Sequence, residues 1–108
     1  MSYNVITIRS FDKQLKRLSK KFPSLKAEYL ALVEDLEENP HKGTLISENC
    51  YKIRLAIASK GRGKSGGARV ITFYVENETV FLLTIYDKSE QTGISDKELK
   101  KLLSELED

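Results

Sequence analysis

Hydrophobic positions along the first forty residues change period twice. Alternation in Tyr3-Asn4-Val5-Ile6-Thr7-Ile8 predicts a short strand. From there the apolar residues Phe11, Leu15, Leu18 and Phe22 recur at helical spacing behind Ser10, a candidate cap. Pro23 interrupts this stripe and Ser24 restarts it, with Leu25, Tyr29, Leu32, Val33 and Leu36 forming a second helix that stops before Asn39-Pro40. The two make a helical hairpin, and its outward positions, mostly Lys, Arg and Glu, read as solvated surface.

Beyond Cys50 the period falls to two. Tyr51, Ile53, Leu55 and Ile57 point one way, while Lys52 and Arg54 share the other face with Ala56 and Ala58. Residues 59 to 67, Ser-Lys-Gly-Arg-Gly-Lys-Ser-Gly-Gly, have the composition of a mobile turn, and a strand resumes from Ala68 to Val75. Glu76-Asn77-Glu78 makes the next turn. Val80-Phe81-Leu82-Leu83-Thr84-Ile85 is apolar on both faces, as a strand covered on each side requires, and it ends at Tyr86-Asp87-Lys88. Ser95 and Glu98 form a capping box for a short last helix carrying Leu99, Leu102, Leu103 and Leu106. The order β-α-α-β-β-β-α predicts an α+β fold: one antiparallel sheet of about four strands, an N-terminal helical hairpin packed on it and a short C-terminal helix beside it. At 108 residues the chain has room for one modest core, so residues 1–108 are expected to be a single domain.

Composition narrows the classes. With 40% hydrophobic and 31% charged residues the chain reads as an ordinary globular protein. No apolar run approaches the roughly 18 residues of a membrane span, and Met-Ser-Tyr-Asn-Val-Ile does not resemble a signal peptide, so no membrane association and a cytoplasmic location are expected. The lone Cys50 fits a reducing compartment and reads as a small buried hydrophobe. One cysteine and one histidine argue against a structural zinc site, and neither metal nor cofactor is expected.

Charge is unevenly spread. Between Asn49 and Val75 stand Lys52, Arg54, Lys60, Arg62, Lys64 and Arg69 with no acid, in a chain of net charge +2, whereas the segment from Glu76 onward holds nine acids against four lysines. A local cluster of this kind makes a site for a polyanion. Gly63-Lys64-Ser65 superficially matches a nucleotide-binding P-loop, but Ala58 stands where the first glycine belongs and a strand, not a helix, follows. Serine or cysteine nucleophiles lack a partner base other than His41, which reads as an exposed loop residue. Lysines and arginines remain, and these neutralise phosphates and stabilise the charge of a phosphoryl-transfer transition state. RNA brings its own nucleophile, the 2′-hydroxyl, so one basic patch can both bind and cleave it. Lys52, Arg54 and Arg69 lie on strands that hold geometry. Lys60, Arg62 and Lys64 lie on a glycine-rich loop suited to RNA contacts.

Cys50-Tyr51-Lys52-Ile53-Arg54-Leu55, the glycine-rich loop leading into Ala68-Arg69-Val70-Ile71, and Leu82-Leu83-Thr84-Ile85-Tyr86-Asp87-Lys88-Ser89-Glu90 resemble the bacterial RelE superfamily of toxins. Gly-Lys-Ser-Gly-Gly before the arginine strand is similar to its HigB-like branch. The resemblance implies a RelE-like fold and the toxin of a type II toxin–antitoxin system: a ribosome-dependent endoribonuclease that cleaves messenger RNA in the A site through 2′-hydroxyl attack. It also implies a cognate antitoxin as partner, with the oligomeric state set by that complex. Carried over by position, Lys52 and Arg54 match the paired basic residues acting in proton transfer and phosphate stabilisation. Arg69 matches the arginine that grips the scissile phosphate, and Lys88 the basic residue that assists the leaving group. Where RelE has a tyrosine near its last helix this chain has Ile94. Tyr86 is the substitute candidate, its alternative being a purely packed aromatic. Two other readings stay open: a non-enzymatic toxin like ParE, which poisons DNA gyrase, and a catalytically silent module that binds RNA or antitoxin.

Overall fold

The computed structural model describes residues 2–60 and 66–106. Its elements run β1 (Asn4–Thr7), α1 (Arg9–Lys21), α2 (Leu25–Glu38), β2 (Thr44–Ser47), β3 (Cys50–Leu55), a single 3-10 turn at Ala58–Lys60, β4 (Ala68–Val75), β5 (Thr79–Asp87) and α3 (Asp96–Ser104). The strands form one sheet in the order β1-β5-β4-β3-β2. β3, β4 and β5 make the expected antiparallel meander, and β1 joins the far side of β5 in parallel.

The sheet has five strands, one more than the pattern of hydrophobic positions suggests. β2 pairs antiparallel with β3, Leu45 opposite Tyr51, through a tight turn in which Asn49 takes φ 60°, a left-handed conformation that asparagine tolerates. Three of its four residues are exposed, so no alternation of burial marks it. The helix starts also divide. Ser95 caps α3 as expected, its Oγ accepting the Glu98 amide at 3.1 Å. Ser10 does not cap α1: the cap position is Ile8, and Ser10 lies inside the first turn, where its hydroxyl donates to Glu105 beyond the end of α3. That bond ties the two ends of the chain together instead of starting a helix.

The sheet has a core on each face. On one, Phe11 and Leu18 of α1 and Leu25, Leu32 and Leu36 of α2 pack on Ile53, Val70, Val80, Leu82 and Ile85. On the other, Leu99 and Leu102 of α3 pack on Cys50, Ile71, Leu83 and Tyr86, so the last helix covers the opposite face of the sheet from the hairpin. Each fully buried aliphatic side chain contributes about 1.5–3 kcal/mol, and β5 supplies both layers. It does so through a bulge: Ile71 pairs with Thr84 but Thr72 pairs with Leu82, which leaves Leu83 as the extra residue. A bulge shifts side-chain parity by one. Val80 and Leu82 face the hairpin before it, Ile85 and Asp87 after it, and Tyr86 is turned toward α3.

Candidate active site

Register assembles the site. In an antiparallel ladder directly opposed residues share a face. Arg54 pairs with Arg69 and Arg69 with Tyr86, so these three form a row across β3, β4 and β5. Lys52, opposite Ile71, lies two residues along on the same face. Without the Leu83 bulge Arg69 would face Ile85 and the row would lack its tyrosine. The backbone ladder continues one step past β5, the Lys88 amide donating to the Gly67 carbonyl at 3.0 Å, which sets Lys88 at the end of the same face. Its ammonium lies 3.5 Å from the Thr92 carbonyl. Gly67 permits this convergence, because a Cβ there would stand 2.2 Å from the Leu55 carbonyl oxygen. The structure thus brings together Lys52, Arg54, Arg69, Tyr86 and Lys88, which stand far apart in the sequence.

Their environments differ. Arg54 is exposed and Lys52 and Lys88 are half-buried, whereas Arg69 is 5% exposed and donates from Nη1 to the Ala68 carbonyl at 3.1 Å. Tyr86 is 4% exposed, its ring packed under α3, and its hydroxyl has no hydrogen-bond partner among the described residues. Burial pushes this phenol above its ordinary pKa, the Arg69 guanidinium opposes that rise, and the Glu98 carboxylate adds to it. The ring therefore has no free face on which a base could stack. Its hydroxyl oxygen is buried as well, as suits an aromatic packed beneath the row. Ile94 packs against the same cluster. Cys50 is fully buried with its thiol pKa raised by desolvation, as suits a packing residue.

Lys60 has a different place from that of a loop cation open to RNA. Its side chain is 10% exposed, and its ammonium bonds the Asp87 carboxylate and donates to Ser89 Oγ at 2.7 Å. Asp87 is 1% exposed and also accepts the Ser89 amide at 2.9 Å. Burial would raise the Asp87 carboxyl, but the Lys60 bond, the Ser89 amide and the Lys60 charge together hold it below the usual carboxylate value. On the other side, the Glu28 carboxylate accepts the Ala58 amide at 2.6 Å and Ser24 Oγ accepts the Ser59 amide at 2.9 Å. The start of the basic loop is thus pinned to α2 and to the end of β5. Arg62 and Lys64 lie outside the described residues. The role of Asp87 escapes a reading by motif. Its signal is a lone acid at the end of an apolar strand, on the parity that faces inward.

Among the described residues no group of three or more His, Cys, Asp or Glu side chains is arranged to hold a metal ion. Nor is any helix there long and apolar enough to cross a membrane.

A family profile described as the RelE toxin of the RelE/RelB toxin–antitoxin system matches residues 8–106. The chain belongs to the RelE toxin family. It is accordingly a toxin of the toxin–antitoxin class, and membership implies an antitoxin partner. An arginine mutant of E. coli toxin RelE in the free state shares the fold, with a TM-score of 0.57 at 17% identity over 97% of this chain and 94% of that one. At that identity the match speaks for architecture alone.

Proposed function

We propose that this toxin is an endoribonuclease that cuts messenger RNA in the ribosomal A site. The 2′-hydroxyl of the nucleotide before the cut attacks the adjacent phosphorus, the bond to the 5′-oxygen of the next nucleotide breaks, and a 2′,3′-cyclic phosphate or its 3′-phosphate hydrolysis product remains. The observation that carries this reading is the pairing of Arg54 with Arg69. A phosphate seated over this pair is attracted by both guanidinium groups, and more so as charge builds on its oxygens in the transition state.

The exposures divide the roles. Arg54 contacts the phosphate from the surface, and Arg69 adds positive potential from the layer beneath it. Lys52, two residues along, is placed for proton transfer at the 2′-hydroxyl, and Lys88 at the end of the row for protonating the leaving 5′-oxygen. Tyr86, buried to its hydroxyl, supports the row from beneath and is not a stacking platform. Lys60 holds the base of the loop, leaving Arg62 and Lys64 as the loop's RNA contacts.

The burial of Tyr86 and the presence of Ile94 favour one second reading, a catalytically silent module that binds RNA or antitoxin. Inducible expression in bacteria of the chain and of Arg54→Ala, followed by mapping of messenger 5′ ends, separates the two. Arg54 is exposed, so its loss leaves the core intact. The nuclease reading expects growth arrest with new 5′ ends inside translated messages, both abolished by Arg54→Ala. Arrest that persists in the variant, with no new ends in either case, would overturn it.

A further inference from the structure

The cations of α1 are more numerous than solvation of a helix requires. Arg9, Lys13, Lys16, Arg17, Lys20 and Lys21 face a single acid, Asp12, within one 13-residue helix of a chain whose net charge is +2. The neighbouring helix is the reverse: α2 carries Glu28, Glu34, Asp35, Glu37 and Glu38 against Lys26. Charge is therefore sorted between two adjacent helices.

Placement sharpens the contrast. Arg9, Lys13, Lys16 and Lys20 follow i, i+4, i+7, i+11 spacing, which puts them in one stripe along the helix. At 1.5 Å per residue the stripe is about 16 Å long. Phe11 and Leu18, the buried residues of α1, lie on the opposite side of the helix, so the stripe points directly away from the sheet. All four side chains are exposed, and none makes an ion pair among the described residues. The other two cations are engaged, Arg17 with Glu90 at 3.2 Å and Lys21 with Glu90 at 3.7 Å. Four positive charges in line, without ion pairs among the described residues, are a row for a line of phosphates. They lie on the hairpin side of the sheet, whereas Lys52, Arg54 and Arg69 lie on the α3 side.

We propose that the α1 stripe is a docking surface for the sugar–phosphate backbone of double-helical RNA, used while the sheet face engages the single-stranded messenger. The identity of the polyanion rests on the proposed function above. An RNA duplex offers phosphates in a regular row and is bound through backbone contacts that need no base reading. The exposed acids of α2, Glu34 and Glu38, disfavour phosphate on that helix. A molecule with basic surfaces back to back across one sheet is built to sit between two stretches of RNA.

The test uses the full chain, a blunt-ended 16-base-pair RNA duplex without single-stranded overhangs, and fluorescence anisotropy from 50 to 300 mM salt. Lys16→Gln/Lys20→Gln removes two members of the stripe. Lys13 is left in place because it also borders the cleft between Ser10 and Glu105. Lys97→Gln/Lys100→Gln on α3 is the charge-matched control. Removing one cation from a bound phosphate lowers the slope of log affinity against log salt by about 0.9. The α1 variant should therefore lose about two units of slope and roughly 10- to 100-fold in affinity near 0.1 M salt, while the control keeps the parent slope. Absence of duplex binding by the parent chain overturns the proposal, as does an equal loss in both variants. A loss of affinity for purified antitoxin with duplex binding unchanged also overturns it and assigns the stripe to an acidic protein partner. The assay contains no ribosome and no cleavable message. Failure of messenger cleavage with duplex binding intact thus counts against the proposed function alone.

Discussion

Replacing Asp87 by alanine should be among the most damaging single changes on this sheet. The carboxylate is 1% exposed and the side chain of its main partner, Lys60, is 10% exposed, so removing it leaves a cation in a nearly dry site with Ser89 Oγ and the Phe22 ring as its remaining contacts among the described residues. Breaking a buried ion pair by deleting one partner costs about 3–5 kcal/mol. That is a large fraction of the 5–15 kcal/mol that stabilises a typical domain. With a urea dependence of about 1–3 kcal/mol per molar, the unfolding midpoint should fall by about 2 M. Lys60→Met in the Asp87→Ala background should recover part of the loss, giving a coupling energy above about 1.5 kcal/mol in a double-mutant cycle. The pH dependence has a definite sign. The folded Asp87 carboxyl lies below its ordinary value, so the unfolded chain takes up the proton first. Its contribution is complete above the unfolded value of about 3.9 and is lost as pH falls through the folded one. Asp87→Ala should therefore flatten the acid limb of the stability profile below about pH 4. A midpoint shift under 0.3 M with an unchanged acid limb would refute the view that this pair fastens the base of the loop to β5.

Other expectations follow from single contacts. Thr72 is fully buried and its Oγ1 has no hydrogen-bond partner among the described residues, so Thr72→Val, nearly the same shape, should be neutral or stabilise by up to about 1 kcal/mol in urea titration. Gly67→Ala would set a methyl 2.2 Å from the Leu55 carbonyl and force β3 and β4 apart at the end that carries Arg54 and Arg69. It should lower both stability, by more than about 1 kcal/mol on the scale of strained backbone sites, and messenger cleavage. Restoration of cleavage by a mild drop in temperature, without restored stability, would contradict that coupling.

The sequence pattern locates the meander, the helical hairpin and the capped last helix because each has a strong local signal. β4 runs from Ala68 to Val75 as its apolar residues indicate, and the Ser95 hydroxyl meets the Glu98 amide. β2 escapes because Thr44, Leu45 and Ser47 are exposed and its partner lies across a turn. The bulge escapes because Leu82-Leu83 sits within an unbroken apolar run, in which a slip of one residue changes no letter of the pattern. Yet that slip sets Tyr86 beside Arg69. The same blindness affects Lys60, whose glycine-rich surroundings suggest a loop cation. Its partner Asp87 is 27 residues away, and only the folded sheet joins them.

The central claim is that the basic row on β3 and β4 stabilises a phosphate attacked by RNA's own 2′-hydroxyl. Purified ribosomes loaded with a message whose A-site codon carries a single 2′-deoxynucleotide before the scissile phosphate test it most directly. The all-ribose message should be cut to a 2′,3′-cyclic or 3′-phosphate end, Arg54→Ala should cut it on the order of 100-fold more slowly on the scale of lost transition-state donors, and the deoxy message should remain whole. Cleavage of the deoxy message at the parent rate would contradict the account.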